Sequence, residues 1–540
     1  MKSKEPQIDI NSIPASERTT TVLSLLSLIE MLQNQLAKQS EQLNTFVSEI
    51  KRLKKLNLKP KIRPSKLPKQ SNDEEDQQSP DGTQLKKRAG SKKRKKSDSL
   101  KITHEEVIQA KDVPSGARQK GYQNFIIQEL VIKPIVVKYR LERWLLADGT
   151  YFTAKLPSRL SGNHFGPTLR AYVLHQYHHQ CVTQPLLHAQ LQELGFGVSK
   201  GQLAKLLIEG KDSFHEEKAS ILKSGLSASN YIHVDDTGAR HQGVNGYCTH
   251  IGNELFAWFK STQRKTRTNF LELLSQGSEE YCLTSFSFVH MKKCKVPPWI
   301  RTKLSLFRNR KIIGKEIFEK WLIDLKIKHK IYARVVTEAA LIGGILNQGF
   351  STDTVIVSDD AGQFNVFQHS LCWIHAERGI TSLIPGNALD LKAVDWARGQ
   401  IWDIYHLLLD YKKNPSKVFK KKFQNNFRKF CKTETGYLTL NLALKRLYAN
   451  RHELLLVLKR PDIPLHNNIS ESDIREYVKR RKLSGLTRCK QGRQCRDTFA
   501  SQKKTANKLG VGFWTYLLDR IEMKNQIPAL SLLIEQAATT

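Results

Sequence analysis

Residues 231–240 read YIHVDDTGAR, a strand-like run that carries Asp235 near its centre. The pair Asn245-Gly246 follows it, which is a strong signal for a two-residue hairpin turn. A second turn at Gly252-Asn253 leads into another apolar run, ELFAWF at residues 254–259. We therefore predict a three-stranded antiparallel meander whose first strand carries Asp235.

A second carboxylate follows a separate strand-like segment. The run TVIVS at residues 354–358 ends directly at Asp359, and a helix-like segment at residues 333–346 precedes it. A strand that ends in a carboxylate is typical of functional positions in open α/β sheets. Asp359 is therefore the second candidate site residue.

A third carboxylate, Glu471, lies in HNNISESDIR, residues 466–475, which continues into a basic stretch. In a helix, Glu471, Arg475 and Lys479 lie on one face because they are four residues apart. Together with Arg481 and Lys482, the two cations are candidates for positioning DNA phosphates beside this carboxylate.

Three carboxylates suit divalent-metal chemistry. Carboxylate oxygens bind Mg²⁺, and two such ions stabilise the attacking and leaving oxygens of a displacement at phosphorus. Neighbours in a strand point to opposite faces, so Asp236 and Asp360 compete with Asp235 and Asp359 for this role, and the register favours the latter two. Asp235 also fits a turn carboxylate, and Glu471 also fits a solvated helix charge.

The acidic segments together resemble the insertion sequence 66 family of DDE transposases. The matching motifs are VDDT at 234–237, SDDAGQF at 358–364, CWIHAER at 372–378, and NNISE at 467–471 with Arg475, Arg481 and Lys482. Their order and spacing over residues 166–498 make the resemblance specific.

This resemblance implies an RNase H-like fold, two-metal DNA strand cleavage and strand transfer. It implies Asp235, Asp359 and Glu471 as the catalytic, metal-binding trio, with two Mg²⁺ ions that Mn²⁺ can replace. The chain departs from the family at two places. Family members usually have Arg directly after the catalytic Glu, whereas this chain has Ser472. Many also have a cysteine-paired zinc segment before the core, whereas residues 137–144 contain no cysteine.

The charge balance favours a nucleic-acid partner. The 540 residues include 87 Lys and Arg against 51 Asp and Glu, a net charge of +36. Such an excess attracts phosphates, with an affinity that falls as salt rises. No apolar run approaches transmembrane length, and the start MKSKEP lacks the apolar segment of a signal peptide. Eight scattered cysteines argue against a disulfide framework, so we expect a cytoplasmic protein.

Residues 1–56 are predicted to oligomerise. A heptad pattern at residues 22–53 predicts a parallel coiled-coil dimer, and an amphipathic helix packed on the chain's own core is the alternative. Residues 57–110, with KKRKK at 92–96, have the composition of a basic disordered linker.

Two further regions precede the core. Residues 111–165 are predicted to form a small β-rich region without zinc cysteines. Residues 166–230 are predicted to be helical, with a helix capped by Ser199 in a helix-turn-helix-like DNA-binding arrangement. Its candidate DNA contacts are Lys200, Gln202 and Lys205. Plain helical packing explains the same pattern.

The core is predicted in two parts, residues 231–375 and a final helix at 466–500. A helical insertion at 376–465 separates them, and a helical tail follows at 501–540. The basic stretch 412–432 contains regularly spaced phenylalanines, namely Phe419, Phe423, Phe427 and Phe430. These rings suit either stacking on flanking DNA or burial in a helical core, and their helical spacing favours the core.

We therefore predict a multidomain α/β protein with an RNase H-like catalytic core and a helical insertion, preceded by a coiled coil and a helical DNA-binding region. The predicted function is that of a DNA transposase of an insertion sequence, which binds element ends and catalyses metal-dependent cleavage and strand transfer. Its expected partners are double-stranded element ends and target DNA, a second copy of the chain, and accessory transposition proteins. The alternatives are an inactive DNA-binding transposase remnant and an RNase H-like structure-specific DNA nuclease.

Overall fold

The computed structural model describes residues 101–110, 114–157, 159–160 and 164–539, and single helical residues at positions 21, 24, 28, 31 and 35. The predicted coiled-coil pattern otherwise lies outside the described residues, as does the linker before residue 101. The chain divides into two compact units, Met1–Ile127 and Gln128–Thr540. In the first unit, described residues 101–110 and 114–127 are exposed and contain no helix or strand.

The second unit begins with a short hairpin. Strand β1 (Arg143–Leu145) pairs antiparallel with β2 (Tyr151–Thr153), and all six residues are exposed. The remaining described residues between 128 and 157 form no regular strand. Strand structure in the region predicted to be β-rich is therefore confined to this hairpin.

Four helices follow: α1 (Pro167–His178), α2 (Gln184–Glu193), α3 (Lys200–Ile208) and α4 (Asp212–Ser227). The predicted cap of α3 is confirmed. Ser199 Oγ accepts from the Gln202 N–H at 3.2 Å, and Gln202 Oε1 accepts from the Ser199 N–H at 2.9 Å. Leu187, Leu191 and Leu203 bury the facing sides of α2 and α3 in the main hydrophobic core.

A five-stranded mixed sheet forms the centre of the unit, in the order β5-β4-β3-β8-β9. Its strands are β3 (Tyr231–His241), β4 (Val244–Gly252), β5 (Ala257–Thr262), β8 (Val355–Ser358) and β9 (Gln368–Leu371). Strands β3, β4 and β5 form the predicted antiparallel meander, which is confirmed. Strands β8 and β9 extend it in parallel with β3.

The predicted position of the first turn was wrong. The turn consists of Gln242 and Gly243, because His241 pairs with Val244. Both turn residues have positive φ, 48° and 80°, which is the geometry of a two-residue hairpin turn. Gly246 lies within the ladder instead, where an added Cβ would meet the Thr262 carbonyl oxygen at 2.7 Å. This glycine permits close packing of the strands and does not form the turn.

Helices and a second sheet connect β5 to β8. The elements are α5 (Arg267–Leu274), β6 (Glu280–Cys282), α6 (Ser285–Lys293), α7 (Pro298–Ser305), β7 (Lys311–Ile313), α8 (Lys315–Asp324) and α9 (Lys330–Asn347). Strands β6 and β7 pair with each other. Ten residues of α9 are buried, so this helix lies at the centre of the main core.

The predicted insertion is helical, and its core also includes Val355, Val357 and Leu371 of β8 and β9. It contains α10 (Trp373–Thr381), α11 (Ala388–Lys413), α12 (Lys417–Cys431), α13 (Leu438–Ala449), α14 (Arg451–Leu454) and a short 3₁₀ turn, Leu456–Leu458. Helix α10 crosses the predicted boundary at residue 375. Phe423, Phe427 and Phe430 are buried, which confirms that these rings form core rather than an exposed stacking surface.

The chain ends with α15 (Asn468–Ser484), α16 (Lys490–Lys508), α17 (Phe513–Ile521) and α18 (Leu530–Thr539). Helix α16 runs across the boundary predicted at residue 500. Its side chains bind the outer edge of the sheet at four-residue spacing. Asp497, Ser501 and Thr505 accept the N–H groups of Ser261, Phe259 and Ala257 at 2.7, 2.9 and 3.1 Å. The exposed edge of β5 is thereby covered.

No helix among the described residues combines the length and apolar character needed to cross a membrane. The eight cysteines all lie in described segments and are free thiols.

Candidate catalytic carboxylate site

Asp235 lies on β3, and Asp359 directly follows β8, the parallel neighbour of β3 in the sheet. Strand β3 pairs with β8 so that Tyr231 faces Val355 and His233 faces Val357. Two residues further along, the same register places Asp235 beside Asp359 on one face, since side chains alternate along a strand. The sheet therefore brings together the two aspartates that the sequence pattern singled out.

Charge interactions show that the third carboxylate is close. Burial raises the pKa of Asp235 to about 7, although the hydrogen bond that this carboxylate accepts from the Asp236 N–H acts to lower the pKa. The negative charges of Asp359, Asp236 and Glu471 raise this pKa further. In the described part of the chain, neither Asp235 nor Asp359 has an ion-pair partner. The pair is therefore a site of unbalanced negative charge.

The two competing aspartates are engaged elsewhere. Thr249 Oγ1 and Gln363 Nε2 donate to the carboxylate of Asp236 at 2.5 and 3.0 Å. The carboxylate of Asp360 accepts from Arg446 Nε at 2.8 Å and from Asn450 Nδ2 at 3.1 Å. Asp360 therefore attaches the loop after β8 to helix α13 of the insertion.

Glu471 lies in the first turn of α15 and is held by helix α10. Arg378 donates to both carboxylate oxygens of Glu471, at 3.0 and 3.3 Å, and His375 Nε2 lies 3.6 Å from Glu471 Oε1. His375 and Arg378 belong to the CWIHAER motif, yet neither was selected from the sequence as a site residue. Their three-residue spacing, which places them on one helix face, was the signal that could have identified them.

Two buried residues connect the segments that carry the carboxylates. Asn467, fully buried, donates to the Val234 carbonyl oxygen at 2.9 Å and accepts from His233 Nδ1 at 2.8 Å. The Asn467 N–H donates to Cys372 Sγ at 3.2 Å, and the Cys372 N–H donates to the Ser358 carbonyl oxygen at 2.9 Å. The residues preceding Asp235, Asp359 and Glu471 are thus fixed relative to one another.

A buried ion cluster holds α15 on the sheet. Asp473 Oδ2 lies 2.7 Å from Lys508 Nζ and 3.1 Å from His250 Nε2, and His250 is the cross-strand neighbour of Asp235. Burial alone raises the pKa of Asp473, but His250 and Lys508 hold it well below its ordinary value. Asp473 is therefore a structural anion and differs in role from nearby Glu471.

The predicted DNA-contacting residues have different environments. Arg475, Lys479 and Lys482 are exposed on α15, and Lys200 and Lys205 are exposed on α3. Gln202 is exposed on α3, and its Oε1 accepts the Ser199 N–H in the helix cap. Arg481 donates to Thr237 Oγ1 at 3.2 Å and to the Gly238 carbonyl oxygen, so it binds β3. Both residues therefore also make structural contacts, and the capping box Ser199-x-x-Gln202 is the sequence signal that could have identified the one made by Gln202.

The donor chemistry suits a divalent cation, but the geometry is incomplete. Carboxylate oxygens are preferred Mg²⁺ ligands, and Asp235 and Asp359 lack a balancing cation. Within the described residues, no three His, Cys, Asp or Glu side chains are arranged to hold a metal ion. Glu471 is instead bound to Arg378. The carboxylate chemistry of Asp235 and Asp359 suits Mg²⁺, whereas Glu471 is occupied by Arg378.

Comparison with known proteins identifies the family. The family model for the transposase IS66 family matches residues 338–495, a segment that includes Asp359, Arg378 and Glu471. The chain is also 39% identical over 321 residues to the uncharacterized protein y4jO of Sinorhizobium fredii (strain NBRC 101917 / NGR234). That match covers 59% of this chain and all of the relative.

Proposed function

Because this chain belongs to the IS66 family of transposases, we propose that it is a DNA transposase of an insertion sequence that binds element ends and catalyses metal-dependent strand cleavage and strand transfer. The observation that carries this proposal is the parallel pairing of β3 with β8, whose register, continued for two residues, would bring Asp359 beside Asp235. The interaction of Glu471 with Asp235 adds the third carboxylate.

The catalytic core is proposed to be RNase H-like. Support comes from the five-stranded mixed sheet, in which an antiparallel meander is extended by two parallel strands. One carboxylate lies on the central strand β3, one directly follows its parallel neighbour β8, and the third lies on α15, which packs against β3 and β4. The helical insertion separates the second carboxylate from the third.

Asp235 and Asp359 would hold Mg²⁺ or Mn²⁺, with Glu471 completing the site after release from Arg378. Two bound ions supply activation of water or of a DNA 3′-hydroxyl and stabilisation of the leaving oxygen. Arg378 becomes free to bind an anion when Glu471 leaves it. Its guanidinium is planar and suits a phosphate group as well as a carboxylate.

The exposed cations of α15 would position the DNA. Arg475 and Lys479 lie on the helix face of Glu471, and Lys482 lies beyond them. Arg481 would act indirectly by holding α15 against β3. Lys200 and Lys205 of α3 would contact DNA away from the carboxylates. Double-stranded element ends and target DNA are the proposed partners, together with a second copy of the chain and accessory proteins, in the cytoplasm.

The decisive experiment measures Mg²⁺- or Mn²⁺-dependent cleavage and strand transfer on labelled DNA that carries the native element ends. Asp235→Asn, Asp359→Asn and Glu471→Gln should each abolish both products. Asp236→Asn and Asp360→Asn are the matched controls and should remain active. At residue 360 one amide oxygen can accept from both Arg446 and Asn450, and at residue 236 the amide oxygen can accept from Gln363 while the amide NH₂ donates to Thr249 Oγ1.

Each alternative function has its own outcome. Metal-independent binding without products, even with accessory proteins from the same element, would identify an inactive remnant. Cleavage of branched DNA without any requirement for element ends would identify a structure-specific nuclease.

A further inference from the structure

The helical insertion contains a cavity that the carboxylate site does not use. Helix α12, the end of α13 and helix α14 enclose a volume of about 220 Å³. Phe427, fully buried in the insertion core, contributes to the wall. The cavity is therefore lined mainly by residues of helices, together with Leu455 and Lys459, which follow them.

Hydrogen-bond donors and positive charge dominate the lining. Arg428, Arg451 and Lys459 supply cations, and Gln424 and Asn425 supply amides. No carboxylate lines this cavity. Among the ion pairs of the described residues, none includes any of these three cations. The site therefore has unbalanced positive charge in a concave setting, which favours an anion.

One of the cations is held in place before any ligand binds. The guanidinium of Arg451 lies 4.6 Å from the centre of the Tyr448 ring, and its Nη1 donates to the Tyr448 carbonyl oxygen at 3.0 Å. A guanidinium carries five N–H donors, so most of them remain for a ligand. Holding the side chain in advance lowers the entropic cost of binding.

The cavity is connected to the carboxylate site through α13. Asp360, which directly follows Asp359, accepts from Arg446 and Asn450, and Asn450 directly precedes Arg451. The same surface of α12 carries further exposed cations, namely Lys417, Lys421, Lys422 and Lys429. These cations add positive charge on the helix that lines the cavity.

We propose that this cavity binds a backbone phosphate of DNA that extends from the carboxylate site across the insertion. The proposal rests on the proposed function for the presence of DNA, and it adds a second phosphate-binding site on a different part of the chain. The tetrahedral phosphate accepts from the guanidinium of Arg451, from Arg428 and from Lys459, with no base contact required. Binding at this site is therefore independent of sequence.

The first test is the salt dependence of binding to a labelled random-sequence duplex. The variant Arg428→Gln/Arg451→Gln/Lys459→Gln removes the three cations. Its control, Lys320→Gln/Lys328→Gln/Lys330→Gln, removes the same charge from exposed positions on α8, the α8–α9 loop and α9. Loss of one phosphate contact should reduce the slope of log K against log salt by about 0.9 in the cavity variant only. Equal slopes for the two variants would overturn the proposal.

A second test uses a single substitution in the wild-type chain, so it does not depend on how the triple variant folds. Asn425→Cys places a thiol in the lining, and its maleimide labelling is followed by peptide mass measurement. Saturating duplex should slow the labelling several-fold, whereas labelling at Cys489, outside the insertion, serves as the reference. A labelling rate that the duplex does not change contradicts the proposal. Protection by inorganic phosphate but not by the duplex would assign the cavity to a small anion instead.

The two proposals fail in different ways. Asp235→Asn should abolish cleavage and leave both the slope and the protection unchanged. If the wild-type chain cleaves DNA equally well with and without element ends, the transposase proposal is overturned and the cavity result still stands. Full cleavage of element ends without protection of residue 425 by the duplex would overturn the cavity proposal and leave the transposase proposal standing.

Discussion

Arg378 donates two hydrogen bonds to Glu471, at 3.0 and 3.3 Å, and so neutralises a carboxylate proposed to bind metal. The two residues lie on different helices and are separated by 93 positions. Half of the Arg378 side chain is exposed, so water screens the pair and its contribution to stability is small. The pair therefore matters more for metal binding than for folding.

Replacing Arg378 should strengthen metal binding. In Arg378→Gln, Glu471 loses the cation that competes with a metal ion, so we expect the dissociation constant for Mn²⁺ to fall several-fold. Electron paramagnetic resonance titration of free Mn²⁺ measures this constant. Arg398→Gln is the matched control. Arg398 of α11 binds Glu377, the neighbour of Arg378 on α10, at 2.9 Å, so its replacement should leave the dissociation constant unchanged. An unchanged constant in both variants would exclude competition by Arg378.

The sequence pattern predicted the meander because alternating strands and turn residues are local signals. It misplaced the turn because the pair Asn245-Gly246 is a turn signal, but glycine is also favoured where neighbouring strands approach too closely for a Cβ atom. Gly246 is required by the approach of Thr262 from the next strand. That approach depends on the pairing of β4 with β5, which no local pattern contains.

The carboxylate candidates were selected from segments separated by more than 100 residues, and the fold brings these segments together. The contacts that fix them were not predicted. The side chains of Asn467 and Cys372 and the carbonyl oxygen of Ser358 make contacts between distant segments, and no local sequence pattern contains such contacts. Gln202 was predicted only as a DNA contact, whereas the structure also gives its side-chain oxygen a role in the cap of α3.

Asn467→Ala should destabilise the protein. The substitution leaves the Val234 carbonyl oxygen and the His233 ring without partners in a fully buried setting. A buried polar group without a partner costs about 1–3 kcal/mol, so we expect a loss of roughly 2–4 kcal/mol for the two. Urea unfolding followed by circular dichroism measures it. Exposed Asn468→Ala should change stability far less, and equal losses would contradict the role of Asn467.

Ser501→Ala should weaken the covered edge of the sheet. Ser501 is fully buried and accepts the Phe259 N–H at 2.9 Å, so its loss leaves an edge-strand donor unpaired. We expect about 1–3 kcal/mol of destabilisation and faster amide exchange at Phe259. Hydrogen exchange locates the effect on β5. Exposed Ser472→Ala is the control, and uniform exchange throughout the sheet would argue against a local role.

Lys218 should make stability depend on alkaline pH. This side chain is buried against Trp258, its Nζ 4.7 Å from the ring centre, and burial lowers its pKa to about 8. The folded state therefore binds a proton less tightly than the unfolded state, whose lysine pKa is about 10.4. Below pH 8 the full penalty applies, of order 3 kcal/mol, and it disappears as pH rises towards 10.4. Lys218→Met should thus be more stable than the wild type at pH 7, by urea unfolding, with a difference that shrinks as the pH is raised. A difference independent of pH would show that packing, rather than charge burial, sets the effect.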